Sequence, residues 1–144
     1  MIYWDSSAIL KLYVTEPDSR HFVDLAGKKD VQIRSSAILS VETLSALSRK
    51  EQAGELRHGA ISLYQELAQD VEAGWIVLIP YGPDIVAQAQ RVLLMTSKAK
   101  TARVLRSLDL IHLASALECN AKTLVTADTR LREIATLAGL KVLP

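Results

Sequence analysis

The sequence predicts an α/β fold: a central parallel sheet of about four or five strands, with helices on both faces, making three layers. Three observations predict it. Short segments of apolar and β-branched residues alternate with longer helical stretches, the order that parallel strands and crossover helices require. The strand segments are near-continuous apolar runs, as burial on both faces demands. The chain has 144 residues, 49% apolar but only 5% aromatic, which suits one domain over 1–144 with an aliphatic core.

Each element has a local reason. Residues 2–4, Ile-Tyr-Trp, read as a short buried strand, after which Ser6 or Ser7 caps a helix carrying Ala8, Ile9, Leu12 and Tyr13. Pro17 breaks that helix and admits another, because proline is tolerated in a first turn and disfavours helix in the residue before it. Residues 31–34 are a second strand, and Ser35-Ser36 open a helix running to about Gln52 and stopped by Gly54. A helix over 55–73 closes at Gly74, and a strand over 75–79 ends at Pro80. Pro83 starts a helix to about Ser97, while 98–106 read equally as loop or broken helix. An Ala/Leu-rich helix over 108–119, a strand over 123–126, a helix over 128–138 stopped by Gly139 and a last strand over 140–143 complete the chain. There is no internal repeat, low-complexity tract or linker.

Composition narrows the function classes. Cys119 is the lone cysteine, so no internal disulfide forms; with no secretory pattern at the start, a cytoplasmic protein is expected. No run approaches 18 apolar residues, so no membrane span is expected. Net charge is +1, which argues neither for nor against nucleic acid. Its distribution says more: Arg91, Lys98, Lys100, Arg103 and Arg106 fall in one stretch without an acid. The plain reading is a solvated face. The sharper one is that Lys98, Lys100, Arg103 and Arg106 steer phosphates toward an acidic pocket beside them.

The basic stretch leads directly into Asp109, one of four acids placed alike. Asp5 ends the first strand, Glu42 lies in the first two turns of the helix after the second, Asp109 opens its helix, and Asp128 lies just past the strand ending near Thr126. Ligand crevices of open parallel sheets lie beyond the carboxyl ends of the strands, so the four are expected to converge. Two carboxylates about 4 Å apart repel by roughly 4 kcal/mol at an effective dielectric near 20. Such a cluster must take up protons or hold a cation. Oxygen donors without cysteine or histidine suit Mg²⁺ or Mn²⁺, and a hydrated divalent ion in a carboxylate pocket suits phosphodiester cleavage.

Plainer readings exist for each residue. Asp128 alone is a helix N-cap, Asp109 complements a helix N-terminus, and Glu42, at the margin of an apolar stripe, could reach solvent. Asp5 could cap too, but Ser6 and Ser7 already supply a cap, and an acid at the end of an apolar strand is costly unless paired or metal-bound. His112, one turn after Asp109, is tempting as a base but reads better as a packed, hydrogen-bonded residue. His21 and His58 join no motif, Cys119 reads as packing, and Trp4 and Trp75 read as core or interface anchors. Glu16 and Asp70 sit on polar faces and ask for no special role.

The pattern resembles a PIN-domain ribonuclease, and within that family the VapC-type toxins of bacterial and archaeal toxin–antitoxin pairs. The resemblance spans the whole chain. It rests on Tyr3-Trp4-Asp5-Ser6-Ser7-Ala8, Lys11-Leu12-Tyr13-Val14 with Glu16-Pro17, the Glu42 helix, Leu108-Asp109-Leu110-Ile111-His112-Leu113-Ala114-Ser115-Ala116, and Leu124-Val125-Thr126-Ala127-Asp128-Thr129-Arg130-Leu131. It implies a PIN-like sheet, Mg²⁺ or Mn²⁺ dependence, RNA cleavage, a homodimer, and a small antitoxin covering the pocket. Carried over, it makes Asp5 and Asp109 direct metal ligands and Asp128 a ligand directly or through water. Glu42 would position a water, and Thr126 and Ser6 would orient the carboxylates.

Rivals fit less well. A haloacid-dehalogenase-like phosphatase would need a second Asp at position 7, which is Ser, and a receiver domain would need an Asp where the chain has Pro80-Tyr81-Gly82. From another class comes a PIN-fold module that binds RNA or protein with little nuclease activity. A housekeeping RNA-processing nuclease is the remaining alternative.

Overall fold

A computed structural model describes residues 1–28, 31–97 and 105–144. Five strands, β1 (Ile2–Trp4), β2 (Ile33–Ser36), β3 (Ile76–Ile79), β4 (Thr123–Val125) and β5 (Lys141–Leu143), form one sheet in the order β3-β2-β1-β4-β5. All neighbours run parallel, so the expected α/β sheet is present. The helices are α1 (Ser6–Tyr13), α2 (Ser19–Ala26), α3 (Leu39–Gln52), α4 (Ala60–Glu72), α5 (Pro83–Ser97), α6 (Ser107–Glu118) and α7 (Thr129–Leu137).

Successive strand residues point to opposite faces, and β1 shows the result. Tyr3 packs with Val92 of α5, Leu113 and Ala116 of α6, and Leu131 and Ile134 of α7. Trp4 packs on the other face with Ala8 and Ile9 of α1, Phe22 of α2, Leu39 of α3 and Leu67 of α4. Leu124 and Val125 of β4 divide between the faces in the same way. Each buried aliphatic side chain of this kind contributes about 1.5–3 kcal/mol. No helix among the described residues is long and apolar enough to cross a membrane.

Several boundaries differ from the sequence reading. Ser35 and Ser36 do not open a helix: both are fully buried in β2, where Ser36 is in register with Ile79. Pairing with β3 overrides their local preference for caps, and α3 begins only at Leu39. Likewise α4 begins at Ala60, whose amide donates to Glu51 Oε1 at 2.9 Å; 55–59 are not helical. Gly74 and Gly139 do end their helices, with φ of 77° and 83°, where a side chain would be strained. Trp75 lies just before β3 and is 37% exposed, not a core anchor. Glu16 has a structural part after all, binding both Lys11 and Lys50 and so tying α1 to the end of α3. Asp70 accepts from the Tyr13 hydroxyl at 2.5 Å.

Winding reverses at the centre of the sheet. From β1 the chain moves outward through β2 to β3, then returns to the other side of β1 with β4. A crevice opens between the carboxyl ends of β1 and β4, the topological switch point of such a sheet.

Candidate active site

Asp5 stands at that switch point. Its amide donates to Val125 O at 3.1 Å, which continues the β1–β4 ladder one residue past the strand. Its side chain caps α1 by accepting from the Ala8 amide at 2.9 Å. The cap is therefore Asp5 and not Ser6 or Ser7. Ser7 instead turns its hydroxyl back to Asp5 at 2.8 Å and accepts from the Ala127 amide at 3.0 Å. Thr126 donates to Asp5 Oδ2 at 2.6 Å and accepts from the Asp128 amide at 2.9 Å. One hydroxyl thus sets the spacing between two acids from opposite ends of the sequence.

Asp5 is 3% exposed, with no cationic side chain paired to it among the described residues. Burial pushes its carboxyl up, against the opposing effects of His112 and the bonds from Thr126, Ala8 and Ser7. A carboxylate offers about four lone-pair positions. The Ala8 amide and the Ser7 and Thr126 hydroxyls bring three hydrogens, so one position remains.

The other three acids face the same crevice. Asp5, Glu42, Asp109 and Asp128 line a cavity of about 270 Å³ together with Ser6, Ser7, Arg106 and His112. Asp109, half-buried in the first turn of α6, has its carboxyl raised by burial and by Asp128, while Arg130, Arg106 and His112 pull the other way. Asp128 caps α7, in line with the plainer expectation for it: Oδ1 accepts from the Arg130 amide at 2.7 Å, and Oδ2 lies 3.7 Å from the Arg130 guanidinium. The cap uses Oδ1, and Asp128 as a whole borders the cavity. Burial pushes Glu42 up, but bonds from His112 and Ser6 outweigh it and hold this carboxyl below the usual range.

His112 is the packed, hydrogen-bonded residue that the sequence reading favours, and it also borders the cavity. It is buried and hydrogen-bonded, and its Nε2 lies 2.6 Å from Glu42 Oε2 on the cavity wall. Its spacing from Asp109 puts both on one face of α6, and that was the available signal. The hold of Ser7 on Asp5 and Ala127 had none, since 120 residues separate Ser7 from Ala127. Arg106, exposed at the N-cap of α6, reaches the rim of the cavity. Lys98, Lys100 and Arg103 lie outside the described residues.

The residues present fit a divalent cation. With both ring nitrogens of His112 taken by Tyr3 and Glu42, the donors left to an ion are carboxylate and hydroxyl oxygen, and the buried Asp5 has a spare acceptor position and no cation of its own. Among the described residues, no three carboxyl, imidazole or thiol groups gather closely enough to hold an ion among themselves. The fit is therefore to an ion that keeps several waters and takes one or two carboxylates, the habit of Mg²⁺. At about 30 Å³ per water, the cavity has room for such a shell.

A doubly covered parallel sheet with an acidic crevice at its switch point places this chain among the open-sheet α/β proteins that bind their ligands at that point. The particular family follows from direct comparison: the PIN-domain profile matches residues 2–137, and the chain belongs to the PIN-domain family. Solved structures share the fold. VapBC2 from Rickettsia felis, bound to a DNA fragment of its promoter, superposes with a TM-score of 0.68 at 18% identity over 99% of this chain and 98% of that one. Mycobacterium tuberculosis VapC20, described as a toxin that cleaves the sarcin–ricin loop, gives 0.70 at 16% over 92% and 94%. FitAcB from Neisseria gonorrhoeae gives 0.65 at 19% over 100% and 97%. At these identities the likeness establishes the fold. A comparison with curated proteins finds no match.

Proposed function

We propose that this chain is a Mg²⁺- or Mn²⁺-dependent endoribonuclease, the toxin of a type II toxin–antitoxin pair, working in the cytoplasm. The observation that carries the reading is the convergence of four acids from four separate elements on one cavity beside two arginines. Its likeness to structures named as toxins and as toxin–antitoxin complexes supports the rest. When bound, the divalent ion would acidify a water and offset charge at the phosphate. The chain's own groups do the placing. Asp5 and Asp109 supply ligand oxygens, Asp128 supplies another directly or through water, and Thr126 with Ser7 keeps Asp5 turned to the cavity. Glu42, held ionised, is positioned to orient and accept from the attacking water. Purified protein should cut RNA with Mn²⁺ or Mg²⁺ and stop on chelation. Intact RNA with both ions, across single-stranded and structured substrates, would sink the reading.

An RNA chain needs cations to approach four carboxylates. We assign part of that task to Arg106. Arg106→Ala should weaken RNA binding while leaving metal affinity unchanged, and flatten the salt dependence by about 0.7 log units per lost phosphate contact on single strands. An unchanged salt slope would place the RNA path elsewhere. The same acidic cavity suits an arginine from an antitoxin, whose fork pairs with a carboxylate in two bonds.

A homodimer is supported by Val86, Leu93 and Leu94, exposed at 41%, 47% and 66% along α5, where spacings of seven and eight residues make one stripe. Leu94→Glu should turn a dimer into monomers in sedimentation velocity. A monomeric wild type would remove this part of the proposal.

A further inference from the structure

The core on the α5–α7 side of the sheet is aliphatic except for one seam, which runs from β1 to the cavity wall. Tyr3 is fully buried, yet its hydroxyl does not end among hydrocarbon: it lies 2.7 Å from His112 Nδ1. The two rings meet edge to face, 5.9 Å apart at 71°. His112, 3% exposed, turns Nε2 toward Glu42 Oε2, and the Ser6 hydroxyl donates to the same oxygen at 2.5 Å. Burying a phenol and an imidazole costs free energy that only satisfied hydrogen bonds offset.

For a neutral imidazole the chemistry of its partners sets the direction of each bond. An ionised carboxylate only accepts, so His112 Nε2 carries the proton. In a neutral ring Nδ1 is then a bare acceptor, and the Tyr3 hydroxyl is the donor facing it. A phenol has one hydrogen to give, and at 2.7 Å His112 Nδ1 is placed to receive it. Both side-chain donors to Glu42 fall on Oε2, which leaves Oε1 for the cavity.

We propose that Tyr3 and His112 are positioning residues: the Tyr3 hydroxyl locks His112 as its Nε2–H tautomer, and that N–H, with Ser6, pins Oε2 of Glu42 so that Oε1 faces the water in the cavity. The catalytic meaning of this tether rests on the nuclease reading above; the tether itself does not. A carboxylate free to rotate would present either oxygen or neither, and outer partners of this kind are worth about 10–100-fold in activity.

Two measurements on the intact protein test it. The first needs no RNA: ¹⁵N spectra of labelled histidine should show His112 at neutral pH as one tautomer, protonated at Nε2 and bare at Nδ1. Tyr3→Phe should move the Nδ1 resonance off its hydrogen-bonded position, and Tyr3→Phe with Glu42→Gln, which removes both fixed partners, should convert the ring to a mixture. A wild-type ring protonated at Nδ1 would overturn the proposal. The second is kinetic. His112→Leu should lower kcat about 10–100-fold with KM within about twofold, and His112→Gln, whose amide nitrogen occupies about the place of Nε2, should recover most of the loss. In a Glu42→Gln background, His112→Leu should cost nothing further, because the two act as one unit. Additive losses, or a loss carried by KM, would overturn the tether while the nuclease stands. If His112→Leu does not fold, Tyr3→Phe and His112→Gln carry the test. A wild type with the single tautomer but no cleavage of any RNA overturns the nuclease reading and leaves the tether in place.

Discussion

Asp109→Asn and Asp5→Asn should each lower RNA cleavage by about 10²–10³-fold, the scale on which removal of one preorganised electrostatic group acts, while the folded protein survives. Both halves of that expectation come from the same geometry. Each acid carries its charge against burial, and Asp109 also against Asp128. An amide removes the charge that the ion needs and the repulsion that the apo fold bears. In Asp5→Asn the side-chain carbonyl would still accept from the Ala8 amide, so the cap on α1 is kept. Melting temperatures of both variants without metal should therefore equal or exceed that of the wild type. Full turnover in Asp109→Asn would show that the active site lies elsewhere.

The second large effect is on stability. Mg²⁺ or Mn²⁺ at a hundredfold excess over its dissociation constant should stabilise the fold by about 2.7 kcal/mol. At about 3 °C per kcal/mol for a chain of this size, the melting temperature should rise by roughly 8 °C. The sign of the pH dependence follows from the raised carboxyls. Asp5 and Asp109 bind protons more tightly folded than unfolded. The metal-free protein therefore loses their contribution as pH climbs from the unfolded value of 3.8 through the folded ones. Glu42 works in the opposite sense, and its contribution is lost as pH falls through its lowered pKa, below 4.5. Protons compete with metal for the raised pair, so the metal-induced shift should be larger at pH 8 than at pH 5. Equal shifts at the two pH values, or no heat of binding with either ion, would remove the metal from Asp5 and Asp109.

The sequence carried most of the architecture because its signals were local. An apolar triplet before Asp5, Pro83 in a first turn and the stops at Gly74 and Gly139 each act within one element. What escaped it depended on partners far away. Ser35 and Ser36 are buried in β2 by β3, more than 40 residues on, so a cap-like dipeptide became strand. Three candidate caps in a row, Asp5, Ser6 and Ser7, could not be ranked until Thr126 and Ala127 arrived from β4 to claim the hydroxyl of Ser7 and the second oxygen of Asp5. His112 was visible as a packed histidine, but Tyr3 and Glu42, which decide what it does there, lie 109 and 70 residues away. The crevice itself was legible: two acids just past strand ends and two in the first turns of helices, in a sheet that must wind outward and return, have one place to meet.

The central position of β1 has a consequence for synthesis on the ribosome. Of these five strands the earliest made is also the middle one, and its β4 edge, with Thr126 and Asp128, comes more than 115 residues later. Until then Asp5 has neither the hydroxyl that aims it nor the partner acid across the cleft. On the nuclease proposal, the nascent chain spares the message from which it is read, because the four acids can meet only once β4 and the turn after it have been made. A chain ended at Lys122 should show no cooperative melting and no cleavage; activity in that fragment would mean that the centre matures early.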